Sequence, residues 1–176
     1  MTKNVIFQQR TKGIGILSAA AAISYGCGGP VLRASGVKHD LRKDDTYSVY
    51  DRFQFDVPVG TRGDCFDRYQ VRLEEMRQSV RILEQAISQI PSGPVIADVK
   101  AVRPPKGEYY ARLETARGDM GVYFVSQGGL KPYRMKFRAA CFNNLACLPE
   151  IAVGWKLADV VSILGSLDLI IPDIDR

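Results

Sequence analysis

Apolar positions along this chain change period several times, and each change marks an element. From Tyr69 through Leu73, Met76, Val80, Leu83 and Ile87 to Ile90 they recur at alternating intervals of four and three residues, which predicts one long amphipathic helix. Asp64 is placed to cap its start and Pro91 to stop it. Its other faces carry Arg68, Arg72, Glu74, Glu75, Arg77, Arg81 and Glu84 and read as the solvated side. Each large apolar side chain gains ~1.5–3 kcal/mol on burial, so the stripe needs a second helical surface, part of it on another polypeptide. From Glu108 the pattern shortens to strand-like runs, Tyr109 to Glu114, Gly121 to Ser126 and Tyr133 to Arg138, divided by Arg117-Gly118 and Gln127-Gly128-Gly129. These predict a small antiparallel sheet.

Elsewhere the signals are local. Ser18 before four alanines and Ile23 predicts a short capped helix ending at Gly26, then a turn at Gly28-Gly29-Pro30. Residues 31–59 mix breakers with Tyr47, Tyr50, Phe53 and Phe55 and read as an irregular connection, long enough to imply a role in a larger assembly. Pro91 to Pro105 is linker-like. Asn143 to Val153 reads as a helix interrupted by Pro149, and Lys156 to Leu167 as a firmer one. The expected class is α+β in a single domain. It divides into residues 1–63 (short helix and connection), 64–107 (long helix and linker), 108–139 (sheet) and 140–176 (final helices and tail).

Composition narrows the function classes. The 176 residues are 46% hydrophobic, enough for a core and against disorder. No apolar run approaches the ~18–20 residues that span a bilayer, and the N-terminus carries no secretory-signal pattern. The net charge of +5 is interspersed, without the basic stripe and interleaved aromatics of a nucleic-acid binder. Cys27, Cys65, Cys141 and Cys147 form no close pair, and His39 is the sole histidine. Buried reduced thiols are therefore expected rather than a metal or cluster site. The glycines at 13, 15, 26, 28 and 29 lack the strand-to-helix context of a nucleotide cradle and read as turns. The Arg-Gly-Asp triplets at 62–64 and 117–119 read as coincidental.

The ending GSLDLIIPDIDR is the most informative stretch. Asp168 falls at or just past a helix C-terminus, where the macrodipole disfavours negative charge, so its carboxylate needs a cation, donors or a proton. A special role and a plain helix-end residue paired with an arginine both fit. Leu169, Ile170, Ile171 and Ile174 could draw the tail inward and dock Arg176.

This ending, with QRTKGIGILSAAAAISYG, GPVLRASGVKHDLRK, the segment from YSVYDRFQFDVPVGTRGDCFDRYQ to RILEQAI, and ARGDMGVYFVSQGGLKPYRMKFRA, resembles the large, D-type quinone-site subunit of NADH:quinone oxidoreductase, respiratory complex I. That large subunit is related to nickel-iron hydrogenases. The likeness covers only the family's C-terminal portion, and the stretch from Pro91 to Pro105 looks shorter than the family's. It implies the C-terminal part of the hydrogenase large-subunit fold, with a helix bundle shared with a missing N-terminal portion on a separate chain. It implies a quinone-reduction chamber beside the terminal iron-sulfur cluster of a small partner subunit. Asp168, Ile170 and Arg176 match the family's tail there. FMN, the iron-sulfur clusters and the NADH site would belong to partner subunits, and a membrane subunit would supply the quinone channel. The complex would lie peripherally on the cytoplasmic or matrix side of the membrane and translocate protons. The tail cysteines that hold nickel and iron in hydrogenases are replaced here by Ile170 and Asp173, so no such centre is expected. Two alternatives stay open: a related quinone- or phenazine-linked dehydrogenase or hydrogenase-like complex, and a catalytically silent structural or assembly component.

Overall fold

The computed structural model describes residues 1–175 except 97 and 100. In chain order it comprises α1 (Val5–Gln9), α2 (Ala19–Ser24), α3 (Gly29–Ala34), α4 (Leu41–Asp44), α5 (Cys65–Gln89), β1 (Gly107–Thr115), β2 (Gly118–Ser126), β3 (Arg134–Arg138), α6 (Ala140–Leu145), α7 (Leu148–Ala152), α8 (Leu157–Leu167) and α9 (Ile171–Ile174). The class is α+β, with one three-stranded antiparallel sheet in the order β1-β2-β3.

The long helix begins where its cap is tied down. One Asp64 carboxylate oxygen accepts from the Asp67 N–H at 2.8 Å, and the other accepts from the Gly13 N–H at 2.8 Å. The cap therefore also fastens the N-terminal loop to the helix. Gly63 just before it has φ +68°, and a Cβ there would lie 2.1 Å from the Leu17 carbonyl oxygen, so the close approach of these two loops requires glycine. α2 is capped by Ser18 and α3 opens with Pro30 in its first turn.

The core lies where α2, α3, the start of α5, α7 and α8 meet. Leu17, Ala22, Val31, Cys65, Cys147, Ile151, Ile163 and Leu167 are buried together there. In the sheet, Thr115 pairs with Gly118 across a two-residue turn, Ala116-Arg117. That turn is pressed onto the start of α3: a Cβ on Gly29 would meet the Arg117 and Gly118 backbones at 2.6 Å. Glycines at 29 and 118 thus let the hairpin dock against the helical core.

Two expectations need correction. Residues 28–30 do not form a free turn but launch α3. The 31–59 connection contains most of α3, all of α4 and a 3₁₀ turn at Tyr50–Arg52. Its aromatics form a cluster of their own, Tyr47, Phe53 and Phe55 each packing on Tyr50 with the ring centroids 5.1–6.4 Å apart. The interruption expected at Pro149 is present: α6 ends at Leu145 and α7 begins at Leu148, with Pro149 in its first turn, where the missing N–H costs no hydrogen bond.

The largest correction concerns α5. Met76, Val80, Leu83, Ile87 and Ile90 are exposed, whereas Phe66, Arg68, Val71 and Gln78 are buried. Arg68 and Arg72, expected to be solvated, point into the protein. Only the first half of α5 is embedded, against α3 and α8; the apolar stripe of its second half is left uncovered.

Candidate functional site

The site is built at the end of α8. Its first turn is stabilised by Asp159, whose carboxylate accepts from the Lys156 N–H at 3.3 Å and pairs with Arg10 at 3.0 Å. Ile163 and Leu167 anchor it in the core. Asp168 ends it in the left-handed conformation, φ 55° and ψ 52°, which aspartate tolerates better than most residues.

Three arginines gather around this terminus. Arg72 donates to the Ser166 carbonyl at 2.6 Å, Arg117 Nε to the Asp168 carbonyl at 3.3 Å and Arg68 Nε to the Ser166 hydroxyl at 2.9 Å. They neutralise the negative end of the helix dipole and so permit a carboxylate beside it. The Asp168 carboxylate lies 3.3 Å from Arg117 Nη2 and 3.8 Å from Arg72 Nε, with 43% of its side chain exposed. Arg72 Nε is buried without a hydrogen-bond partner among the described residues, and burial lowers the Arg72 pKa, a trend opposed by Asp168.

Asp168 and Arg72 form the partition between two clefts. The first, of about 390 Å³, runs between Phe7, Tyr69 and the polar groups of Arg10, Ser162 and Ser166. The second, of about 380 Å³, is lined by Arg33, Arg42, Glu75, Glu114 and Arg117. A larger void of about 450 Å³ beneath Pro58 and Thr61 touches none of these groups.

Behind the second cleft is a buried ionic network. Arg33 donates from Nε to Glu75 at 2.6 Å, and from Nη1 to Glu114 at 2.9 Å and to the His39 carbonyl at 2.7 Å. Arg42 grips Asp40 with both ends of its fork, at 2.9 and 2.6 Å. Burial acts against the charge of both Asp40 and Arg42, but their pairing prevails: the Asp40 carboxyl is held below its usual range and Arg42 is raised. For Glu75 the balance is reversed. Burial is the largest influence and raises its carboxyl above the usual value despite Arg33.

Of the residues expected from sequence, Asp168 stands at the centre of this geometry. Ile170 does not: it is exposed and lines neither cleft, its N–H directed to the Cys141 sulfur at 3.4 Å. Ile171 is likewise exposed rather than drawn inward. Arg176 lies outside the described residues. The cysteines are buried free thiols; hydrogen bonding to Cys147, reinforced by burial, raises the Cys27 thiol. Sequence reasoning missed Arg72 and Arg117 as partners of Asp168, and the Arg33 network altogether. The one signal present was the second Arg-Gly-Asp triplet, whose arginine marks the tight hairpin turn.

Comparison with known proteins identifies the family of the chain. A family model described as "Respiratory-chain NADH dehydrogenase, 49 Kd subunit" matches residues 1–106 and 98–176. Proteins named as the D-type subunit of NADH-quinone oxidoreductase are similar throughout. The one from Desulforamulus reducens is 56% identical over 176 residues, 99% of this chain and 48% of its own length. Those from Dehalococcoides mccartyi and Carboxydothermus hydrogenoformans are 49% and 51% identical, over 100% and 98% of this chain and 48% and 47% of their own lengths. The chain thus spans about half the length of the curated relatives it matches.

Proposed function

Because the chain belongs to the family of the 49 kDa subunit of respiratory-chain NADH dehydrogenase, we propose that it is the C-terminal portion of that subunit in a complex I and forms one wall of a quinone-reduction chamber. The observation that carries this reading is the placement of Asp168: a half-exposed carboxylate between two arginines, on the partition between two clefts. The Phe7–Tyr69 cleft fits a quinone headgroup in kind, offering aromatic faces beside a few polar groups and a volume within the ~300–1,000 Å³ usual for such ligands. Reduction of a quinone to a quinol takes two electrons, from an iron-sulfur cluster of a partner subunit, and two protons. In that chemistry Asp168 holds Arg72 toward the headgroup and relays protons at its carboxylate oxygens.

The remaining surfaces agree with membership of an assembly. The uncovered stripe of α5 meets the portion of the subunit beyond this stretch, completing a helix bundle of the hydrogenase large-subunit type. The small iron-sulfur subunit, other hydrophilic-arm subunits and the membrane quinone-channel subunit complete the site. NADH and FMN are handled by other subunits of a proton-translocating complex. No described helix is long and apolar enough to cross a membrane, in keeping with peripheral attachment through partners, on the cytoplasmic or matrix side.

The test is Asp168→Asn in the assembled complex. Quinone reductase activity should fall about a hundredfold or more, the scale of losing one proton-transfer group, while subunit content is unchanged. Full activity in a fully assembled variant complex would remove Asp168 from the reaction.

A further inference from the structure

The network behind the second cleft does not balance. Its cations are Arg33 and Arg42; its carboxylates are Asp40, Glu75 and Glu114, with side chains 2%, 15% and 3% exposed. Three carboxylates against two guanidiniums leave one negative charge in excess, in surroundings where an unpaired charge is costly. Guanidinium does not release a proton under these conditions, and the cations across the cleft, Arg72 and Arg117, are ion-paired with Asp168, so within the network the excess is relieved most directly by protonating a carboxylate.

The contacts indicate which one. Asp40 receives both arms of Arg42 and the Arg42 backbone N–H at 3.0 Å. Glu114 has both oxygens engaged, one by Arg33 and the other by the Leu41 N–H at 3.3 Å. Glu75 has one oxygen on Arg33, while the other has no hydrogen-bond partner among the described residues, and its side chain lines the cleft. A protonated Glu75 keeps the Arg33 bond through its carbonyl oxygen and turns its O–H toward the cleft.

We infer that Glu75 holds a proton at neutral pH and exchanges it with the cleft whose far end is Asp168, which makes the network a proton store for the site. The groups facing Glu75 and the cleft are Arg33 of α3, Arg42 of α4 with its cap Asp40, Glu114 of β1, Arg72 of α5, Arg117 of the hairpin turn and Asp168 at the end of α8. The Asp168 end has the opposite imbalance, Arg72 and Arg117 against one carboxylate. When Glu75 releases its proton to a base in the cleft, its new negative charge is therefore compensated across the cleft. The O–H bond breaks, the carboxylate remains on Arg33, and no electron moves. This rests on the proposed function only in naming quinone reduction as the consumer of the proton.

The experiment is pH-difference infrared spectroscopy of the complex containing this chain, in H₂O and D₂O, comparing wild type, Glu75→Gln and Asp168→Asn. The wild type should show a protonated-carboxyl carbonyl band that shifts in D₂O and bleaches on raising the pH above neutrality. Glu75→Gln should lose it and Asp168→Asn should retain it. If Glu75→Gln does not accumulate, Glu75→Asp should displace the band. A carboxyl region unaltered by either Glu75 variant overturns the assignment. Because the measurement needs no quinone, a complex without quinone reductase activity would refute the functional reading and leave this result standing.

Discussion

Arg68, at the start of α5, shows how a single side chain can hold three segments together. Among the described residues no carboxylate lies within ion-pair distance of it. It is solvated instead by the carbonyls of Gly63 and Gly15, each at 2.8 Å, by the Ser166 hydroxyl at 2.9 Å and by the Cys65 sulfur at 3.3 Å. These acceptors come from the turn before α5, the N-terminal loop and the end of α8. Hydrogen bonds to a charged group contribute ~1.5–3 kcal/mol each. Arg68→Met should therefore destabilise the chain by about 3 kcal/mol or more, read as a lower unfolding midpoint in denaturant, because it strands two buried carbonyls. Arg68→Lys should lose less, since an ammonium restores part of the donor set. Equal stability of Arg68→Met and wild type would mean that these contacts are redundant. The same turn makes Gly63→Ala costly: φ +68° disfavours any side chain, and the Leu17 carbonyl occupies the space a methyl needs.

At the scale of elements, what could be read from sequence was whatever depends on neighbours along the chain. Asp64 and Pro91 bound α5 because capping and the missing proline N–H act within a turn or so. The strand runs were legible because the turn residues that divide them, Arg117-Gly118 and Gln127-Gly128-Gly129, act locally. The buried face of α5 was not, because it is decided by distant partners. Arg33 meets residues 42 and 81 positions away, and Arg117 meets Asp168 across 51, so each arginine looks solvated when read along its own helix or turn. The apolar stripe misled for the converse reason: its period reads as a buried face, yet nothing in this stretch covers its second half, and under the proposed function a partner does. Val80→Glu combined with Leu83→Glu separates the two faces of this helix. Both positions are exposed, so the isolated chain's unfolding free energy should change by no more than about ±0.5 kcal/mol per site. Incorporation into the complex, followed by co-purification of partner subunits, should drop severely. Normal incorporation would show that the stripe faces solvent in the assembly too.

Over the whole molecule, eight charges spread from Arg33 to Asp168 along the sequence are gathered into two unequal groups at one cleft, and this couples stability to pH in a specific direction. Asp40 is held below its usual range, so its contribution is present above the unfolded carboxyl value, ~3.9, and fades as the pH falls toward the folded value. Glu75 is raised, so its contribution is full below the unfolded value, ~4.3, and is lost as the pH rises through the folded one. The two trends oppose each other, which favours greatest stability in mild acid over a peak at neutrality. Glu75→Gln removes only the second. The stability of wild type relative to this variant should therefore decline from about pH 4 upward, by at most ~1.4 kcal/mol per pH unit for one group, and level off once Glu75 is ionised in both states. Unfolding midpoints of the two chains measured across this range provide the check. A difference that stays flat with pH would mean that Glu75 titrates alike in the folded and unfolded chain. The excess negative charge of the network would then have to be neutralised from outside it, by the Arg72 and Arg117 pair across the cleft.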